Sequence, residues 1–122
     1  MARAQRHRWH QDYRDAVLAT SPVGYWRLGE AAGTVARDEM GTTNATYVGS
    51  PTLGAAGLLA GDGTTAVTLG ESQGLTLPST TTIFEGVTPW SFACWCRPTA
   101  DGTVRYFFNH EGSGSRTVKF NH

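Results

Sequence analysis

The rhythm of apolar positions changes at Pro22. Before it, Trp9, Tyr13, Ala16 and Val17 recur at i, i+4, i+7 and i+8, which is one face of a helix. That pattern stops at Thr20-Ser21-Pro22, as helices do ahead of a proline that disfavours helical backbone in the preceding residue. Beyond it the apolar residues come in short runs, at 25–28, 45–48, 66–69, 75–77, 91–97, 104–109 and 117–120. Stretches rich in glycine, threonine and aspartate separate them, among them "MGTTN", "LGAAG", "AGDGTT", "ADGT" and "EGSGS". Short strands at this spacing predict a β-sandwich or barrel after one short N-terminal helix. The chain divides accordingly into a basic arm and helix over 1–21 and a β domain over 22–122.

The stretch "PVGYWRLGE", residues 22–30, poses the first chemical question, since it sets Arg27 and Glu30 among aromatic residues. Tyr25, Trp26 and Leu28 cannot all face one way on a strand, so the run reads as buried on both faces. Arg27 and Glu30 are then a structural pair, or hydrogen-bonding partners of nearby turns, rather than catalytic groups.

Composition supports the all-β reading. With 122 residues, 39% hydrophobic and 16% charged, and 15 glycines, the chain suits one core of strands joined by tight turns. Ten basic residues balance ten acidic ones, so no net field draws it to nucleic acid or an anionic membrane. Arg3, Arg6 and Arg8 all precede the first acid, Asp12. Three arginines make a solvated or protein-bound arm rather than a nucleic-acid clamp. No run approaches the ~20 apolar residues of a membrane span, and none at the N-terminus resembles a signal peptide.

The two cysteines, Cys94 and Cys96, lie on one face if "WSFACWCRP" is a strand, with Cα atoms roughly 6.6 Å apart, near the upper limit for a disulfide. They read as small buried residues, and no second cysteine pair completes a zinc site.

Of the candidate chemistries, "GESQG" at 70–74 matches the G-x-S-x-G pattern of a nucleophilic serine. Strand-like residues on both sides make Ser72 a hairpin residue instead, and no separate histidine and acid complete a triad. Glu30, Asp38, Glu39, Asp62 and Glu111 could form a glycosidase pair, but most sit beside glycine in turns and suit turn chemistry better. His7 and His10, with Asp12, read as a solvated surface pair. Calcium is the metal that the loop oxygens of Asp38, Asn44 and Asp62 suit, although no EF-hand spacing is present. Asn44-Ala45-Thr46 matches the N-glycosylation acceptor. The aromatic residues mostly fall within the strand-like runs, as core residues do. If one sheet face is open, Trp90 and Tyr106 are the candidates for ligand contact, because an aromatic ring beside polar groups offers a sugar both a platform and fixed hydrogen bonds.

Taken in order, the segment from Tyr13 through "TSPVGYWRLGEAAGTVARDEMGTTNATYVG" and "GLLAGDGTTAVTL" resembles the N-terminal half of a laminin-G-like, concanavalin A-like jelly-roll domain. "YWRLGE" is similar to that family's opening strand, Ala36 and Asp38 fit its next turn, and "SFACWCRP" resembles its aromatic strand ending in Trp-x-basic-Pro. The similarity spans roughly residues 13 to 110. A full domain of this kind carries more strands after that segment, so the resemblance implies an incomplete antiparallel β-sandwich.

Related jelly rolls occur in bacteriophage tail proteins and in secreted bacterial carbohydrate-active proteins. With no export signal read, the resemblance implies a non-catalytic virion component, a minor tail or fibre-like protein. Its expected partners are other virion proteins or copies of itself, with a glycan as the candidate ligand. Trp9 and Tyr13 on the helix are the expected docking residues. The alternative is an extracellular accessory module of a carbohydrate-active enzyme.

Overall fold

The structure, a computed structural model, describes residues 13–78 and 89–99 in full, and the backbone of two further strands at 105–110 and 116–120. Helix α1 occupies residues 13–19. It ends where expected: the Thr20 and Ser21 amides donate to the Val17 and Leu18 carbonyls, each at 3.0 Å, and Ser21 turns to a positive φ of 52°. Apart from this helix the regular structure among the described residues is all β and antiparallel.

The strands are β1 (Val35–Ala36), β2 (Ala45–Val48), β3 (Thr52–Ala55), β4 (Ala66–Thr68), β5 (Gly74–Thr76), β6 (Arg105–His110) and β7 (Arg116–Phe120). They form a three-stranded sheet in the order β1-β2-β5, a β3-β4 pair and a β6-β7 pair. In the first sheet Ala36 lies opposite Ala45, and Tyr47 lies opposite Leu75.

Period-two alternation in "ATYV" explains where the core forms. Ala45 and Tyr47 point inward while Thr46 and Val48 face out. With Ala36 they make the buried cluster, and Trp26, Leu28, Leu53, Val67, Leu75 and Leu77 pack around it. Leu53 and Val67 come from the β3-β4 pair, so residues of that pair and of the three-stranded sheet meet at this cluster.

Several expectations change. Residues 25–28 do not make a strand; only Trp26 pairs, in a single bridge to Asp38. Leu28 has φ 59°, a left-handed conformation that an extended run cannot contain, and the stretch is half-buried rather than enclosed on both faces. Residues 91–97 likewise form no strand, and Cys94 and Cys96 are exposed free thiols, not buried residues. Trp95 is 64% exposed, so its indole does not belong to the core.

The "LGAAG" turn signal hides β3. Its Gly54 takes φ 77°, and the register to β4 shifts between Thr52 and Ala55, the behaviour of a glycine-containing bulge. Ser72 does lie in a turn, with φ 58°, but that turn is no hairpin: β4 pairs with β3 and β5 with β2, so residues 69–73 pass from one sheet to the other.

Candidate functional site

Asp38 is the most heavily engaged side chain among the described residues. Its Oδ1 accepts from the Tyr25 amide at 2.9 Å and the Met40 amide at 3.0 Å. Its Oδ2 accepts from the Thr42 amide at 3.3 Å, the Thr42 hydroxyl at 2.9 Å and the Thr43 amide at 3.0 Å. The Asp38 amide in turn donates to Asn44 Oδ1 at 3.0 Å. Short side chains that bond to backbone a few residues on are what aspartate and asparagine supply to turns, and the run "DEMGTTN" is built around that habit. The carboxylate is 6% exposed. Burial pushes its pKa up, but the donors from Tyr25, Met40, Thr43 and Thr42 outweigh burial and hold it below the usual 3.8.

Glu30 ties the same region from the other side. Its Oε1 accepts from the Arg37 amide at 2.9 Å and its Oε2 from the Tyr47 hydroxyl at 2.6 Å. Burial first, and the Glu30 carboxylate second, push the Tyr47 phenol upward. Arg27 serves a different loop: its Nη2 donates to Asp62 Oδ2 at 2.9 Å and to the Thr64 hydroxyl. The Thr64 side chain first, then the Arg27 charge, hold Asp62 below 3.8 against the opposing effect of burial. Arg27 and Glu30 therefore do not pair with each other; each holds a separate segment, as expected of partners of nearby turns.

This placement bears on the calcium reading. Asp38 and Asn44 are brought together, but their oxygens already accept hydrogen bonds, and Oδ2 of Asp62 is held by Arg27. No group of three or more potential ligands among histidine, cysteine, aspartate and glutamate gathers among the described residues.

The aromatic residues give the other face. Tyr13 on α1 is 37% exposed, and its hydroxyl accepts a 2.7 Å hydrogen bond from the Trp95 indole. That contact joins the helix to the 89–99 segment across 82 positions of sequence. Phe92 is 45% exposed, whereas Trp90 is half-buried. Trp9 and the side chain of Tyr106 lie outside the described residues; the Tyr106 backbone sits in β6 opposite Lys119.

Sequence reasoning placed Trp95 in the core and missed its exposure. Its expectation rested on a strand over 91–97 that does not form, and Phe92 and both cysteines are exposed along with Trp95. An open cleft of about 400 Å³ lies elsewhere, lined in part by Gly33, Thr34, Tyr47, Ser50 and Leu53, and contains none of the nominated residues.

No family model matches the chain, and neither a curated protein nor a solved structure matches it.

Proposed function

We propose that the chain is a non-catalytic attachment module that presents the aromatic 89–99 segment to a partner surface. The observation that carries this reading is Trp95: a large apolar ring 64% exposed, yet fixed in place through its hydrogen bond to Tyr13. An indole held ready in solvent is suited to binding, because its apolar area is still to be buried and little side-chain freedom remains to be lost. The described acids of the acidic turns are spent on structure. Asp38 accepts five hydrogen bonds and Glu30 two, which suits staples better than general acids or bases.

The finer architecture we infer is an incomplete laminin-G-like, concanavalin A-like sandwich. Support comes from the sequence resemblance and from Leu53 and Val67 packing on the cluster at Tyr47. The same resemblance suggests the setting, a phage tail or fibre, with virion proteins, further copies of the chain or a glycan as the surface met by Trp95. Glycan binding uses aromatic rings with polar groups beside them, which Trp95 and the Tyr13 hydroxyl that it meets offer together.

The test compares the wild-type chain with Trp95→Ser, on a glycan array and in incorporation into purified tail particles. Binding in either assay that falls at least tenfold in Trp95→Ser supports the proposal. Equal binding by both proteins, or binding by neither, overturns it. Retention on particles without glycan binding assigns the face to assembly.

A further inference from the structure

The Trp95 indole N–H donates to the Tyr13 hydroxyl at 2.7 Å, and Tyr13 stands on α1, so the seat of α1 decides where the indole is held. Packing fixes α1 weakly: no residue over 13–19 is buried, and Val17 and Leu18 are only half-buried. An ion pair adds what packing lacks. Arg14 Nε and Nη2 both meet Glu39 Oε2 at 2.6 Å. We infer that Arg14 and Glu39 are positioning residues for Trp95: their ion pair latches α1 to the Asp38 turn and so keeps the Tyr13 hydroxyl at the indole N–H.

The latch is set on a braced turn. Glu39 follows Asp38, whose carboxylate accepts five hydrogen bonds, and the Glu39 amide itself donates to the Tyr25 carbonyl at 2.7 Å. Two donors from one guanidinium on a single carboxylate oxygen make a charge-assisted contact that restrains direction as well as distance. Arg14 is the next residue after Tyr13, so the clamp acts on the part of α1 that carries the hydroxyl. Asp15 gives the guanidinium a looser second partner at 3.6 Å, but that contact stays within α1 and ties it to nothing else.

The purpose of the latch rests on the attachment reading: an indole already oriented has less freedom to lose when a partner covers it. The ion pair is partly exposed, with side-chain exposures of 40% and 24%, so salt screens it. Binding through an uncharged ring should then weaken as ionic strength rises. The latch itself needs no partner and is tested without one.

The experiment follows the indole N–H peaks of the full chain by NMR, with isotope-labelled tryptophan, and the rate at which each exchanges with water. Trp95→Ser identifies the Trp95 peak by its loss. Trp26, whose indole N–H donates to the Thr43 carbonyl, reports on the rest of the fold. In Arg14→Ala and in Glu39→Gln, exchange at Trp95 should rise about threefold or more, the size of effect a partly exposed pair supports. The peak should also move toward its position in Tyr13→Phe while Trp26 stays unchanged, and Arg14→Lys, which keeps the charge, should restore part of the shift. Salt raised from about 0.02 M to about 0.5 M should move Trp95 in the wild type and not in Arg14→Ala. The salt series, which needs no substitution, decides alone should a variant fail to fold. A Trp95 peak indifferent to salt and to both substitutions, or one that moves only together with Trp26, overturns the latch. These shifts without any binding to particles or glycans support the latch and count against the attachment reading alone.

Discussion

At the scale of single residues, the carboxylates decide how the chain responds to acid. Asp38 and Asp62 are both held below 3.8, so the folded chain binds fewer protons than the unfolded chain as the pH falls through that range. Their contribution to stability is complete only well above the unfolded value of 3.8 and is lost as pH falls past it and through their folded values. The urea midpoint should therefore hold level down to about pH 5 and then drop, with a shallower drop in Asp38→Asn. That variant should also lose on the order of 2–3 kcal/mol at neutral pH, because an amide NH₂ replaces one acceptor among donors from Thr42 and Thr43. A stable Asp38→Asn with an unchanged acid limb would remove Asp38 from this role. "DEMGTTN" announced a turn, and the turn is there; that one aspartate would collect five donors depended on Tyr25 arriving from a separate segment.

Between elements, two contacts hold loops that no strand pairing holds. Arg27 links the 25–30 stretch to the loop at Asp62 and Thr64. The pair is mostly shielded, with side-chain exposures of 25% and 8%, and Asp62 Oδ1 has no hydrogen-bond partner among the described residues. Removing the guanidinium leaves a buried carboxylate uncompensated, so Arg27→Ala should lower stability by about 2 kcal/mol. Adding Asp62→Ala to it should restore part of that loss, which a double-mutant cycle by thermal melting would read. Additive losses would deny the coupling. Gly49 sits where the chain leaves β2, with φ 77°, and a Cβ there would meet the Ser72 carbonyl oxygen at 2.5 Å. Gly49→Ala should destabilise by about 1–3 kcal/mol, measured by urea unfolding, since strain and clash act together. The sequence marked β2 and β5 to within a residue because each carries its own apolar run. It missed β1, only two residues long, and β3, whose glycine reads as a turn until the bulge it makes is known.

For the molecule as a whole, the aromatic segment is the feature that sets behaviour in solution. Trp26 is half-buried with its indole donating to the Thr43 carbonyl at 2.9 Å, Trp90 is half-buried, and Trp95 stands in solvent. Acrylamide should quench a red-shifted component of tryptophan emission that disappears in Trp95→Ser, with the melting temperature little changed, since trimming an exposed ring away from the core costs about 0.5 kcal/mol or less. An emission spectrum unaltered by that substitution would mean Trp95 is covered. If copies of the chain meet through this face, the same substitution should also reduce association in sedimentation at high concentration.

The sequence by itself determined the all-β class, the end of the helix before Pro22, the turn at Asp38 and the strands whose apolar residues alternate. All of these follow from local rules, proline geometry, side-chain-to-backbone hydrogen bonding and a period of two, which act over a few residues. Only the tertiary structure decided that β4 and β5 part into different sheets, that Arg27 reaches Asp62 rather than Glu30, and that Trp95 and the two thiols face outward. Those outcomes depend on which distant segments meet, and an apolar residue carries the same signature in sequence whether its neighbours cover it or leave it in water.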